Sequence, residues 1–344
     1  MNRPALPMLT VLAVSHGVND WLAGWLLGGQ LPDTTAWDRM PWLVIYAGLA
    51  FAGQLPVAWL IERSRQPDRW MAGALGLLVA TVAAAKYSPG LAVILSGIAS
   101  AFVHVAGGAL ALQLPRGDRA LGWFSAPGVI GLTVGGWLGH SYGGLAGWTV
   151  LLPIALLAAW AGLRAHWPVV EPEDERGHAP AIDAHDGLML LILLALTLRS
   201  ALWDLVQAAQ LGDPRTLLAL AVSAATGKVL GGWMISRWPT IRPVCITLLT
   251  SCVLLDWARG NLLVLCAGIA LLQSTIPASV VLLHRSFGTS PARATAYGLG
   301  LTVALGGLVF PMRFNLSPTL IALAAVTLTV LWWAAHRERR WRLT

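Results

Sequence analysis

The stretch RAHWPVVEPEDERGHAPAIDAHD, residues 164–186, decides the fold, because it is the one long polar run in a chain otherwise written in Ala, Leu, Val, Gly and Trp. On each side lie roughly six apolar segments, each near the ~20 residues that cross ~30 Å of hydrocarbon, so the run reads as a cytoplasmic linker between two membrane bundles. Glu171, Glu173, Asp174, Glu175, His178, Asp183, His185 and Asp186 are metal-ligating types, but they follow no ligand spacing and sit among Pro, Gly and Ala. Composition favours a solvated connection.

Working outward, 56% of the 344 residues are hydrophobic and only 11% are charged, with a mean hydropathy of +0.67. An ordinary soluble domain carries about 25% charged residues. The expected fold class is therefore an all-α membrane protein of about twelve transmembrane helices, with no room for a soluble domain. A net charge of +7 raises nucleic acid as a partner. The basic residues instead fall in short clusters between apolar runs, which is the positive-inside pattern of a membrane protein. Cys245, Cys252 and Cys266 form no CxxC pair and no even-numbered framework, so no structural disulfide is expected. The start, MNRPALPMLTVLAVSHGVNDW, lacks a small-residue cleavage site and carries His and Asp mid-run, so it reads as a retained first span.

The expected spans are 5–28, 41–61, 69–86, 90–113, 120–140 and 146–166, then 187–209, 215–235, 241–257, 261–283, 294–312 and 317–335. With the amino end placed inside and the spans alternating, sixteen of the 23 Lys and Arg fall inside and five outside, with Arg199 and Lys228 within apolar runs. That asymmetry puts both termini in the cytoplasm. Three units follow: a six-helix bundle over 1–167, a cytoplasmic linker over 168–186, and a second six-helix bundle over 187–344.

An internal repeat supports the same plan. FAGQLPVAWLIER (51–63) matches ATGKVLGGWMISR (225–237), which sets Gly53 on Gly227, Trp59 on Trp233 and Arg63 on Arg237 at an offset of 174 residues. GLTVGG (131–136) answers GLTVALGG (300–307). Two six-helix halves in the same orientation are the parallel-repeat plan of a rocking transporter.

The turn after the second span, with Glu62-Arg63 followed by Arg65 and Arg69, resembles the G-x-x-x-D-R-x-G-R-R loop of the major facilitator superfamily, with Glu62 in place of its Asp. SHGVND (15–20) and GIASAFVHVAGG (97–108) are similar to the fosmidomycin-resistance branch of that superfamily, where H-x-x-N-D recurs in the first helix and a Phe-His stretch in the fourth. APGVIG in the fifth span is only part of an antiporter-type pattern, and the Arg usual early in the fourth helix is missing. The resemblance implies two pseudo-symmetric bundles with helices 1, 4, 7 and 10 lining a central cavity, and drug efflux as one role.

An ionised side chain at the bilayer centre costs about 2.5–3.5 kcal/mol even on the lenient insertion scale, so each one kept there is a site candidate. Ser15, His16, Asn19 and Asp20 share one helical stripe, with His16 one turn before Asp20. His16 and Asp20 are the expected proton-coupling pair, since burial disfavours the carboxylate and a neighbouring imidazolium favours it. Asn19, His104, Arg199, Asp204 and Lys228 are the expected substrate-binding residues. Arg199 stands out because a permanently charged guanidinium at mid-depth needs a carboxylate, a carbonyl cage or an anionic ligand. Lys228 is read either as a substrate contact or as an ion-pair partner of Asp204. Each membrane His has the plainer reading of a bond to a neighbouring helix. Glu62, Arg63 and Arg237, at matched helix ends, are the expected conformational latch.

Two functional readings remain open. The first is a secondary transporter that moves a small polar or anionic solute by alternating access with proton coupling. The second is a non-transporting membrane scaffold or an integral membrane enzyme. No HExxH, G-x-S-x-G or nucleotide loop supports an enzyme. The expected partners are the solute, protons and the lipid bilayer, with no nucleic acid, no cofactor and no metal. The expected setting is a bacterial inner membrane and the expected state a monomer.

Overall fold

The structure is a computed structural model that describes residues 5–31, 36–142, 148–164, 184–258, 260–286, 288–308 and 315–341. Most of the expected linker lies outside these residues; only the backbone of 184–186 is described, as the first turn of a helix.

The described residues form twelve helical rods. In the first half these are α1 (Ala5–Trp25, continued by a π-helical turn Leu26–Gln30), α2 (Ala36–Ala47, a π-helical turn Gly48–Ala52, then Gln54–Ser64), α3 (Pro67–Ala85), α4 (Pro89–Gln113), α5 (Gly117–Tyr142) and α6 (Trp148–Arg164). The second half holds α7 (Ala184–Ala209), α8 (Pro214–Arg237), α9 (Ile241–Trp257), α10 (Leu262–Ser286), α11 (Pro291–Thr295, a π-helical turn Ala296–Leu301, then Thr302–Gly307) and α12 (Leu316–Trp341). Eight of them are long and apolar enough to cross a membrane by length and composition. The other four have physical reasons to fall short. α1 carries His, Asn and Asp, α6 and α9 are 17 residues each, and α11 is broken by its π-helical turn.

Several helix starts are written in the sequence. Ser88-Pro89, Asp213-Pro214 and Ser290-Pro291 each pair a capping side chain with a proline at the first helical position, where its missing N–H costs nothing. Asp213 accepts from the backbone of Arg215 and Thr216 at 3.1 and 3.2 Å and from the Thr216 hydroxyl at 2.6 Å. Those Thr216 bonds hold its carboxyl below the usual carboxylate range. Pro277, by contrast, leaves α10 running unbroken from Leu262 to Ser286.

The two halves are built alike. α1 packs on α5 as α7 packs on α11, α2 on α4 as α8 on α10, α3 on α4 and α6 as α9 on α10 and α12, and α1 on α6 as α7 on α12. Between the halves, α5 lies along α8, and α11 lies along α2 and α4. Glycine sets these distances. A Cβ on Gly131 or Gly135 would fall on the backbone of Gly17 or Trp21, and one on Gly139 on that of Trp25, so α1 and α5 touch main chain to main chain. In the same way Gly227 and Gly231 of α8 meet the backbone of Ala270 and Ser274 in α10, and Gly122 meets Gly232 across the α5–α8 seam. Helices in lipid gain no hydrophobic force from one another, so close packing of small residues and hydrogen bonds must hold them.

Candidate functional site

α1 brings His16, Asn19 and Asp20 against α4 and α5. Ser15, His16 and Asn19 are buried, and the Asp20 side chain is 14% exposed. The His16 Nε2 atom lies 3.3 Å from Asp20 Oδ2 and 3.1 Å from His104 Nε2, and His104 Nε2 lies 3.9 Å from Asp20 Oδ1. Three residues from two helices thus point their ligand atoms at one spot. Asn19 Nδ2 donates to Asp20 Oδ1 at 2.8 Å and to Ser100 Oγ at 3.1 Å, and the Tyr46 hydroxyl of α2 donates to Ser100 Oγ at 3.3 Å. The His16 ring stacks on Phe124 with centroids 4.7 Å apart and meets His104 edge-on at 4.6 Å.

The other ring nitrogens fix the tautomers. His16 Nδ1 is 2.8 Å from the Phe124 carbonyl oxygen, and His104 Nδ1 is 2.7 Å from that of Ser100. A carbonyl only accepts, so both Nδ1 atoms carry hydrogen. In the neutral rings both Nε2 atoms are then bare lone pairs facing each other and the Asp20 carboxylate. Three buried acceptors within 3.9 Å of one another repel unless a cation sits among them. One added proton resolves the conflict by giving His16 or His104 an N–H to share with the other ring and with Asp20.

A second group lies in the other half. Arg199 on α7 is 2% exposed, and its guanidinium donates to Gln273 Oε1 of α10 at 3.3 Å and to Ser200 Oγ at 2.5 Å. Its Nε makes no hydrogen bond, and no carboxylate lies within ion-pair distance among the described residues. Asp204, one turn further along α7, reaches Arg199 through space only. Lys228 on α8 forms no pair with Asp204; its amine donates to the Ser125 carbonyl of α5 at 3.1 Å, across the seam between the halves. It stands within electrostatic reach of both Asp20 and Arg199, which links the two groups.

The helix ends expected to latch are arranged differently from the sequence reading. Glu62 binds Arg293 at 2.8 Å and accepts a hydrogen bond from Ser290, both at the start of α11. Asp118 at the start of α5 binds Arg285 at the end of α10 at 2.6 Å, and Arg119 donates to Ser236 of α8 at 3.0 Å. Arg63 lies over Trp59 of its own helix at 5.5 Å, and Arg237 is exposed. The offset of 174 residues that relates the ends of α2 and α8 carries Glu62 onto Ser236, and Arg119 and Arg293 are each the third residue of α5 and α11. The Glu62–Arg293 and Ser236–Arg119 contacts therefore hold equivalent places in the two halves, one between two charges and one between an arginine and a hydroxyl. The same offset relates Gln54, which packs on Gly300 at the α2–α11 seam, to Lys228 at the α5–α8 seam.

Of the residues expected from sequence, the structure brings His16, Asn19, Asp20 and His104 together and places Arg199 in the other half; Ser100, Tyr46 and the cross-half partners Asp118, Arg119, Ser236, Arg285 and Arg293 were not among those expected. Ser100 had a signal, since it sits one turn before His104 on the same face. A groove of about 790 Å³ lies apart from all of these. It is lined by Gly17, Trp21, Pro127, Ile130 and Val229, with no ionisable group, and it opens on the lateral surface where Trp123 and Leu230 are half exposed.

Two crystal structures match this architecture end to end. The *E. coli* fucose:proton symporter FucP superposes with a TM-score of 0.67 at 14% identity, over 97% of this chain and 99% of the other. A FucP structure described as a Major Facilitator Superfamily transporter in the outward conformation gives 0.67 at 15% identity, over 97% of each chain. The chain has the major facilitator fold. Within that fold, the His16–Asp20–His104 cluster belongs to the first half and Arg199 to the second, on helices 1, 4 and 7. Neither a protein-family model nor a curated sequence matches the chain. Its apolar helices and the major facilitator fold make it a multi-pass membrane protein.

Proposed function

We propose that this protein is a secondary transporter that carries a small polar or anionic solute by alternating access, coupled to protons at Asp20 and His16 with His104 as their partner. The observation that supports this reading is the cluster of three facing acceptors, which needs a cation to be stable and includes the partly exposed Asp20 carboxylate. Opening the cavity to water on either side changes the solvation of the cluster and hence its proton occupancy. Arg199, with an unbonded Nε and no carboxylate partner among the described residues, supplies the fixed charge for an anionic group. Carrying the anion with a proton would move little net charge. The division into bundles 1–167 and 187–344 joined by a cytoplasmic linker, the cytoplasmic termini, the inner-membrane setting, the monomeric state and the kinship with the fosmidomycin-resistance branch, with its efflux role, belong to the same reading. So does the use of Asn19, Asp204 and Lys228 around the solute.

A solute panel screened by thermal shift on purified protein, followed by flux in proteoliposomes under an imposed pH gradient, tests it. Asp20→Asn is expected to keep solute binding and exchange and to lose accumulation driven by the pH gradient. Accumulation undiminished in Asp20→Asn would make the acid structural and sink proton coupling at this site.

A further inference from the structure

We infer that His16, His104 and Asp20 also form a binding site for a single divalent first-row transition-metal ion. The three residues are a two-histidine, one-carboxylate set, the donor type that suits such ions and lacks the thiolate that selects copper(I). Their spacing fits. A tetrahedral ion with bonds of about 2.0–2.1 Å holds its ligand atoms about 3.3 Å apart. The two ring nitrogens are 3.1 Å apart, and they lie 3.3 and 3.9 Å from the two different oxygens of Asp20, so the carboxylate has to turn and close on His104 for one oxygen to complete the set.

The surrounding groups are those that a metal site requires. A metal-bound histidine keeps one ring nitrogen for the ion and gives the other N–H to a carbonyl or carboxylate, which fixes tautomer and orientation. Both imidazoles do this, through Phe124 and Ser100 carbonyls at 2.8 and 2.7 Å, and both leave Nε2 bare toward the cluster. The carboxylate is oriented as well, by Asn19 at 2.8 Å. Three protein ligands leave a fourth position, and Asp20, with 14% of its side chain exposed against 3% for His16, is the most accessible of the three, so entry and the fourth ligand come from its side. The ion and the shared proton compete for the same lone pairs, so the site holds one or the other.

This inference concerns binding and stands apart from the transport reading, because it is tested without flux. Purified protein in detergent, with any affinity tag removed and metal stripped by chelator, is titrated with Co²⁺. A saturable visible absorption band at one cobalt per chain, displaced by Zn²⁺, is expected. His104→Gln should weaken cobalt binding by more than about tenfold. Asn19→Ala, which keeps all three ligands and removes the carboxylate's support together with the bond to Ser100, should weaken it by about tenfold, and it keeps the test readable if His104→Gln does not fold. His140→Gln and His284→Gln, outside the cluster, should change nothing. No saturable band, or cobalt binding of undiminished affinity in both His104→Gln and Asn19→Ala, would overturn the site. A parent protein that binds cobalt but shows no proton-driven flux would instead count against the transport reading alone.

Discussion

Gly128 sets how closely α5 approaches the cluster. A Cβ there would run into the Asp20 carboxylate and the His16 ring, whose Cε1 would lie 2.8 Å away, while the helix itself would accept alanine readily. Gly128→Ala is therefore expected to destabilise the fold by about 1–3 kcal/mol and to disturb the His16–Asp20 geometry. A thermal melt together with pH-driven flux checks it; flux equal to the parent protein's would mean that α5 has slack at this point. Individual residues of the site were legible because an ionisable side chain in an apolar run is conspicuous. Their meeting was not. His16 and His104 are 88 residues apart, and nothing in either segment states that their Nε2 atoms face each other. The tautomers, which turn two plain histidines into a cation site, depend on carbonyls that every residue possesses.

Among the elements, helix starts and close-packed faces follow from local chemistry. The Ser-Pro and Asp-Pro pairs open α4, α8 and α11, and the glycines of α5 repeat every four residues from 131 to 139 along the side that meets α1. Partners across the seams are another matter. The matched Arg63 and Arg237 were the visible sign of a latch, yet Glu62 takes its cation from the start of α11, because helices of opposite halves pair end to start. Arg293 is 56% exposed on its side chain, so the pair contributes only about 0.2–1 kcal/mol, a shift of a few-fold in a two-state equilibrium. Glu62→Gln should raise the population separated at the α2–α11 seam by that factor and leave solute affinity nearly unchanged. Distances between spin labels on α2 and α11 read the population directly. An unchanged distribution would mean that the ion pair does not bias the equilibrium.

For the molecule as a whole, hydrophobic periodicity and one polar run sufficed to foresee twelve helical rods in two like halves, since bilayer thickness leaves few other ways to use such a composition. The fold match to FucP along almost the entire chain agrees with that expectation. Orientation rests on charge alone, with sixteen basic residues expected on one side and five on the other. Reporter fusions within 168–183 are expected to indicate the cytoplasm, and an exterior signal there would invert the assignment. The two repeat-related seams differ in one further way. Glu62–Arg293 is ionic and half solvated, whereas Arg119–Ser236 has no anion and lies beside the glycine contact of Gly122 with Gly232. Salt screens Glu62–Arg293 and also Asp118–Arg285 at the start of α5, whose arginines are both about half exposed, and hardly touches the glycine contact. Rising ionic strength is thus expected to loosen both seams at the helix ends that carry these arginines, while the glycine contacts of Gly122 with Gly232 and of Gly300 with Gln54 stay in place.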